Sequence, residues 1–175
     1  MDIKKLTTES RNKYSSKLDT LTPEQFVEVM NTEDQKVAEQ IKLENNAIAE
    51  LIKRAITGLN NGGRLIYMGA GTSGRLGVLD AAECVPTFGV TPDVVIGLIA
   101  GGSEAMTVAV EGAEDNLELG EQDLRNLNIN ENDTVIGIAA SGRTPYVIGG
   151  LKYAQSIGVP TGCVTCNQQS EVGNY

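Results

Sequence analysis

The 175-residue sequence has no histidine. That absence excludes a Ser-His-Asp triad, an HExxH zinc site and any imidazole base, and leaves proton transfer to Asp, Glu, Lys, Tyr or Cys. Long apolar runs are also missing: none approaches the roughly 20 residues that span a bilayer. The opening segment, MDIKKLTTESRNKYSSKL, lacks the apolar core of a secretory signal. Cysteine is scarce, with only Cys84, Cys163 and Cys166 and no disulfide pattern, which fits a reducing compartment and a cytoplasmic location. Positive charge is in deficit, with 14 Lys and Arg against 23 Asp and Glu, a formal charge of −9. Nucleic acid and anionic membranes are therefore not expected partners. A small anion is still admissible, because oriented backbone N–H groups act locally whatever the net charge. The Tyr, Phe and Met residues are too scattered to form a base-stacking platform.

What the sequence does contain is an alternation of apolar runs and glycine loops. Residues 1 to about 21 are polar and aperiodic and read as an arm. Thr22-Pro23-Glu24 starts a short helix expected to end near Asn31. Thr32 and Gln35 form a candidate capping box for a second, long amphipathic helix. Its face is marked by Val37, Ile41, Ala47, Ile48, Leu51, Ile52 and Ile56, and Gly58 with the Asn60–Gly63 cluster stops it. Beyond it the spacing predicts strands at 64–68, 94–100, 134–139 and 159–166. Helices are expected at 73–84, 103–115, 121–127 and 145–157. The expected fold is α/β, a doubly wound parallel sheet of flavodoxin-like type behind an N-terminal helical segment, with 1–60 as arm and helices and 61–175 as the sheet domain. Four strands make a small sheet, and the last is followed by no covering helix. The sheet is thus expected to be completed in a longer chain, and these residues alone are expected to be inactive because an exposed strand edge and apolar surface remain.

Two loops at neighbouring strand ends carry the candidate chemistry. Gly69-Ala70-Gly71-Thr72-Ser73-Gly74 has the GxGxxG form of a dinucleotide loop, but the next strand ends Ile99-Ala100-Gly101-Gly102 without the acidic residue that would hold a ribose. Thr72 and Ser73 can instead donate to sugar hydroxyls or phosphate beside a helix N-terminus, or act simply as helix caps. Ala140-Ser141-Gly142-Arg143-Thr144-Pro145 repeats the arrangement, and its hydroxyls and N–H groups can encircle a phosphomonoester. Arg143 can pair with such a phosphate or stand as a solvated loop residue. Two such loops make one concave polar site.

Acids near these loops are candidate proton-transfer groups. Glu83 is expected to end its helix, where the negative end of the dipole favours a carboxyl that holds its proton. Glu111 and Glu114 are expected to share a helix face. All three can equally be surface acids of an acidic protein. Cys163-Val164-Thr165-Cys166 has CxxC spacing but lies on an expected strand with no second pair, so core thiols are expected rather than a metal site.

The string from Gly69 to Thr87 resembles the signature of N-acetylmuramic acid 6-phosphate etherases. So do Gly97–Gly102, Val110–Asp115, Gly137–Tyr146 and, in the arm, Leu6–Asn12 with Leu18–Leu21. The resemblance covers essentially the whole chain and lies within the wider sugar isomerase (SIS) group of phosphosugar-binding folds. Family members continue well past Tyr175. The resemblance implies a lyase that cleaves the lactyl ether by acid and base catalysis, with Glu83 as proton donor and Glu114 as its partner base. It also implies phosphate contacts from Ser141 and Thr144, supported by Gly142 and Arg143, and sugar contacts from Gly71, Thr72 and Ser73. A cytoplasmic homodimer without cofactor or metal, recycling cell-wall sugars, is the implied setting. A non-catalytic phosphosugar sensor and a phosphosugar isomerase are the competing readings.

Overall fold

The apolar runs that the sequence separates by glycine loops become four parallel strands. In the computed structural model of the protein, which describes residues 7–175, these are β1 (Leu65–Gly69), β2 (Val95–Ile99), β3 (Thr134–Ile138) and β4 (Thr161–Val164). Their order is β2-β1-β3-β4, with Gly69 of β1 paired to Ile99 on one side and Ile138 on the other. The direction of travel reverses between β1 and β3, so the switch point lies where the two glycine loops emerge.

Two compact units make up the chain, Met1–Ile52 and Lys53–Tyr175. In the first, α1 (Pro23–Leu43) opens with Thr22, whose side chain accepts from Gln25 N–H while the Gln25 side chain returns to the Thr22 N–H. The capping box is therefore at Thr22 and Gln25, and the helix does not stop near Asn31. Thr32 sits inside it and donates its hydroxyl to the Glu28 carbonyl four residues back. The expected long second helix instead breaks at Glu44, and α2 (Asn45–Asn60) continues beyond it, running on into the second unit. The first six residues of the expected arm, Leu6 among them, lie outside the described residues.

In the second unit each strand face has its own helix cover. Successive residues of β1 point to opposite faces: Tyr67 packs against α3 (Gly71–Phe88) at Gly77, while Met68 packs against α5 (Pro145–Ser156) at Gly150. α4 (Leu117–Asn126), capped by the Asn116 side chain on Leu119 N–H, lies beside α5. The core fills the α5 side with Ile66, Met68, Val135, Tyr146, Val147, Leu151 and Leu124, all fully buried. The Tyr146 hydroxyl donates to Asp123 of α4 at 2.7 Å and fixes the two helices in register. Its burial, with the Asp123 carboxylate beside it, holds the phenol well above its usual range.

At the opposite end of the sheet from the loops, Asp133 is fully buried yet charged. It accepts from Arg64 N–H (2.8 Å), Nε (3.0 Å) and Nη2 (2.7 Å) and from Asn130 N–H (2.9 Å). Burial alone would raise this carboxyl, but the Arg64 and Asn130 donors outweigh it and hold it below the ordinary range. The start of β1 is thereby tied to the turn before β3.

Candidate active site

The first loop is tighter than its letters suggest. Only Ala70 separates β1 from α3, because Gly71 (φ +53°) already belongs to the helix. Strand end and helix start touch: a Cβ on Gly69 would come within 2.7 Å of Gly74 N, and one on Gly74 within 2.6 Å of Gly69 O. The GxGxxG spacing is thus explained by packing of helix on strand. Thr72 and Ser73 lie in the first turn of α3, and Ala70 at the cap position offers no side-chain bond, so neither hydroxyl is the helix cap. The first-turn N–H groups have no intrahelical acceptor, and Thr72 stands exposed beside them.

The second loop is held from behind. Gly142 (φ +68°) turns the chain, its N–H donating to Ala139 O and its carbonyl accepting from Val172 N–H. A Cβ there would lie 2.2 Å from Ser170 Cβ and 2.7 Å from Thr165 Oγ1. Asn167, almost fully buried, donates from Nδ2 to the carbonyls of Ala140 (3.3 Å) and Ser141 (3.2 Å). The Ser141 hydroxyl accepts from Arg143 N–H, and Thr144 precedes Pro145 at the start of α5 without making a capping bond. Arg143 is half-buried rather than solvated, and its Nε is buried with no acceptor in the chain. A guanidinium donor left over inside such a loop suits an anionic oxygen. Asn167, Ser170 and Thr165 are positioning residues that sequence reading missed. For Asn167 and Ser170 the signal is the polar run Asn167–Ser170 after β4, and Thr165 gives none.

Two expectations about the acids need correction. The segment 103–115 is not a helix: a short 3-10 turn, Ser103–Met106, gives way to irregular turns, with positive φ at Gly101, Gly102 and Gly112. Glu111 and Glu114 therefore share no helix face, and both are exposed. Arg75 of α3 holds this segment, its Nε donating to Met106 O (2.9 Å) and its Nη2 to Ala105 O (2.7 Å). Glu114 nevertheless arrives at the second loop, because its carbonyl accepts from Tyr146 N–H (3.0 Å) in the first turn of α5.

Glu83 does not end its helix. α3 runs on through Pro86 to Phe88 and closes on Gly89 in the left-handed region. Glu83 lies more than a turn from that end, beyond the short range of the terminal dipole. The packing of α3 fixes its level: Gly74 meets Gly69 at the top of β1, Gly77 meets Tyr67 at mid-strand, and Glu83 lies about 9 Å further down the axis. Within one chain, Glu114 and both loops are at the carboxyl ends of the strands, and Glu83 is near their amino ends.

Among the described residues no three His, Cys, Asp or Glu side chains cluster as a metal ion would require. Cys163 is half-buried on β4, where burial pushes its thiol up, and Cys166 is exposed beyond the strand. No helix of the described residues is long and apolar enough to cross a membrane.

Two hydroxyl-bearing loops at the switch point of a 2-1-3-4 parallel sheet define a doubly wound α/β domain of flavodoxin-like order. The chain belongs to the family described as the glucokinase regulatory protein N-terminal SIS domain, whose model matches residues 47–155. Along all 175 residues it is 59% identical to N-acetylmuramic acid 6-phosphate etherase 2 of Enterococcus faecalis. It is also 59% identical to the N-acetylmuramic acid 6-phosphate etherase of Lactococcus lactis, and 55% to etherase 2 of Lactiplantibacillus plantarum. The chain spans 59% of the length of each of these relatives. Among solved structures, a phosphoheptose isomerase from Francisella tularensis matches with a TM-score of 0.62 at 18% identity, covering 87% of this chain and 79% of that one. At that identity the likeness speaks for the fold alone.

Proposed function

We propose that the intact protein is a cytoplasmic, homodimeric lyase that converts N-acetylmuramic acid 6-phosphate and water to N-acetylglucosamine 6-phosphate and D-lactate, in the recycling of cell-wall sugar. The observation that carries the reading is identity of 55–59% to proteins of that name along every part of this chain.

The two loops and Glu114 support this reading, and the role given to Glu83 rests on the resemblance alone. The Ser141 and Thr144 hydroxyls, the loop N–H groups and the leftover Arg143 donor surround a place for the 6-phosphate, at the positive end of α5. Gly71, Thr72 and Ser73, one strand away, face the sugar. In its open form the sugar presents an aldehyde, which acidifies the C2 proton. Glu114, the partner base, removes that proton, and the C3–O bond breaks as Glu83, the proton donor, protonates the departing lactate oxygen. Water then adds across the double bond, its OH going to C3 and a proton to C2. No cofactor or metal is needed for these steps, and each positioned carboxyl would contribute about 100- to 10,000-fold.

Release of D-lactate from N-acetylmuramic acid 6-phosphate tests the reading. The intact protein is expected to turn over, and Glu83→Gln and Glu114→Gln each to lose at least about 100-fold of that rate. Unchanged activity in both variants would overturn the assignment. The family description, which names a regulatory protein, favours a second reading as a phosphosugar sensor. Tight binding of the sugar phosphate by the intact protein with no lactate released would establish that one instead.

A further inference from the structure

We infer that the 6-phosphate does more than hold the sugar: seated at the start of α5, it sets the base Glu114, with Tyr146 as the positioning residue that couples the two. The inference rests on the etherase reading above and says how the phosphate end of the substrate governs the proton-transfer end.

Tyr146 stands between the phosphate loop and the base. It is the second residue of α5, two positions after Thr144 and three after Arg143. First-turn N–H groups of a helix have no intrahelical acceptor, and at an anion site they ordinarily point to the anion. The Tyr146 N–H is committed elsewhere, to the Glu114 carbonyl at 3.0 Å. The side-chain donors nearest a phosphate are then those just ahead of it. Arg143 Nε is buried with no acceptor in the chain, and the Thr144 hydroxyl makes no capping bond. An anion that draws Arg143 and Thr144 together fixes the turn into Pro145 and Tyr146, and the Tyr146 N–H passes that order to Glu114.

The rest of Tyr146 is locked to α4. Its side chain is fully buried, and its hydroxyl donates to Asp123 at 2.7 Å. The two backbones meet as well: a Cβ on Gly120 would strike the Tyr146 carbonyl, and one on Gly149 the Leu117 carbonyl. α4 and α5 therefore form one body, and Glu114 lies two residues before Asn116, which caps α4. Ala113, beside Glu114, is buried in the same core cluster as Tyr146. On the other flank Gly112 is exposed with φ +75°, and Arg75 grips the segment only further back, at Ala105 and Met106. The hold nearest Glu114 is thus on the body that begins at the phosphate loop. A remote group that only anchors substrate lowers KM, whereas one whose binding positions a catalytic group raises kcat.

Phosphite separates these two roles. The full-length protein is given N-acetylmuramic acid, which carries no phosphate, and D-lactate release is followed with and without sodium phosphite. Phosphite is expected to raise the rate by about 5- to 150-fold, the range of ordinary coupling between sites, and to do so saturably. The same phosphite should inhibit release from N-acetylmuramic acid 6-phosphate, because the two anions take one place. A rate on N-acetylmuramic acid that phosphite leaves unchanged or lowers would overturn the inference while leaving the etherase reading intact. Absence of lactate from N-acetylmuramic acid 6-phosphate itself would remove that reading, and this inference with it. Tyr146→Phe keeps the ring and loses the bond to Asp123. It should retain its far-ultraviolet circular dichroism, yet lose at least about fivefold of the phosphite activation and lower kcat more than it raises KM. Asp123→Asn keeps an acceptor for the hydroxyl and should keep the activation. Undiminished activation in a folded Tyr146→Phe protein would overturn the coupling role of Tyr146.

Discussion

Asp133 and Arg64 show how a single pair can anchor a fold far from its chemistry. The carboxylate is fully buried and takes five donors, three from Arg64 and two from Asn130. Asp133→Ala would leave those donors without an acceptor and is expected to cost about 3 kcal/mol, read as a lower midpoint in urea unfolding. The carboxyl is held below its unfolded range, so its contribution is complete above the ordinary carboxylate pKa of about 4 and fades as pH falls through the depressed folded value. The wild type should therefore lose stability on acidification more steeply than Asp133→Asn below about pH 4, and parallel curves would show that the pair contributes nothing. Gly142 is the corresponding residue at the working end. Gly142→Ala combines a positive φ with a Cβ driven into Ser170, and is expected to destabilise by at least about 2 kcal/mol and weaken phosphate binding. Thr144→Val, by contrast, should raise KM for the phosphosugar by about tenfold while leaving the unfolding midpoint within about 0.5 kcal/mol, because its hydroxyl makes no capping bond.

Among the elements, the least regular one carries the proposed base, Glu114. The segment between β2 and α4 is held by Arg75 on two carbonyls and by the Glu114 carbonyl on α5. Arg75→Ala should leave the sheet intact yet speed amide exchange across residues 101–116, and lower kcat more than it raises KM. Unaltered exchange there would show that other contacts hold the segment. This is also where the sequence was hardest to read. Ser103 to Asp115 is rich in helix formers, and its letters favour a helix. Gly101, Gly102 and Gly112 in the left-handed region and the Arg75 clamp decide otherwise, and such tertiary contacts leave no trace in local propensity. The Thr32–Gln35 box misled for a different reason: Thr22–Gln25 satisfies the same pattern, and nothing between Asn31 and Thr32 interrupts α1. β1, β3 and α5 were legible because a continuous apolar run and a Pro145 start each admit one interpretation. The two loops were legible as strand-to-helix turns, since their glycines and hydroxyls stand together in the chain. Their supports at Thr165, Asn167 and Ser170 were not, because they approach from a later strand.

At the scale of the molecule, the sheet order brings both loops to its switch point. The formal charge of −9 is compatible with the proposed phosphorylated sugar because the candidate donors are local: helix starts, hydroxyls and one half-buried guanidinium. Elimination followed by addition of water has an isotopic signature that direct displacement at the lactyl carbon lacks. The most direct test runs the intact protein on N-acetylmuramic acid 6-phosphate in heavy water enriched in oxygen-18 and examines both products by mass spectrometry and NMR. Deuterium at C2 and oxygen-18 in the C3 hydroxyl of the N-acetylglucosamine 6-phosphate, with unlabelled lactate, is the predicted result. Oxygen-18 in the lactate, or a C2 hydrogen retained from the substrate, would contradict the two-carboxylate mechanism.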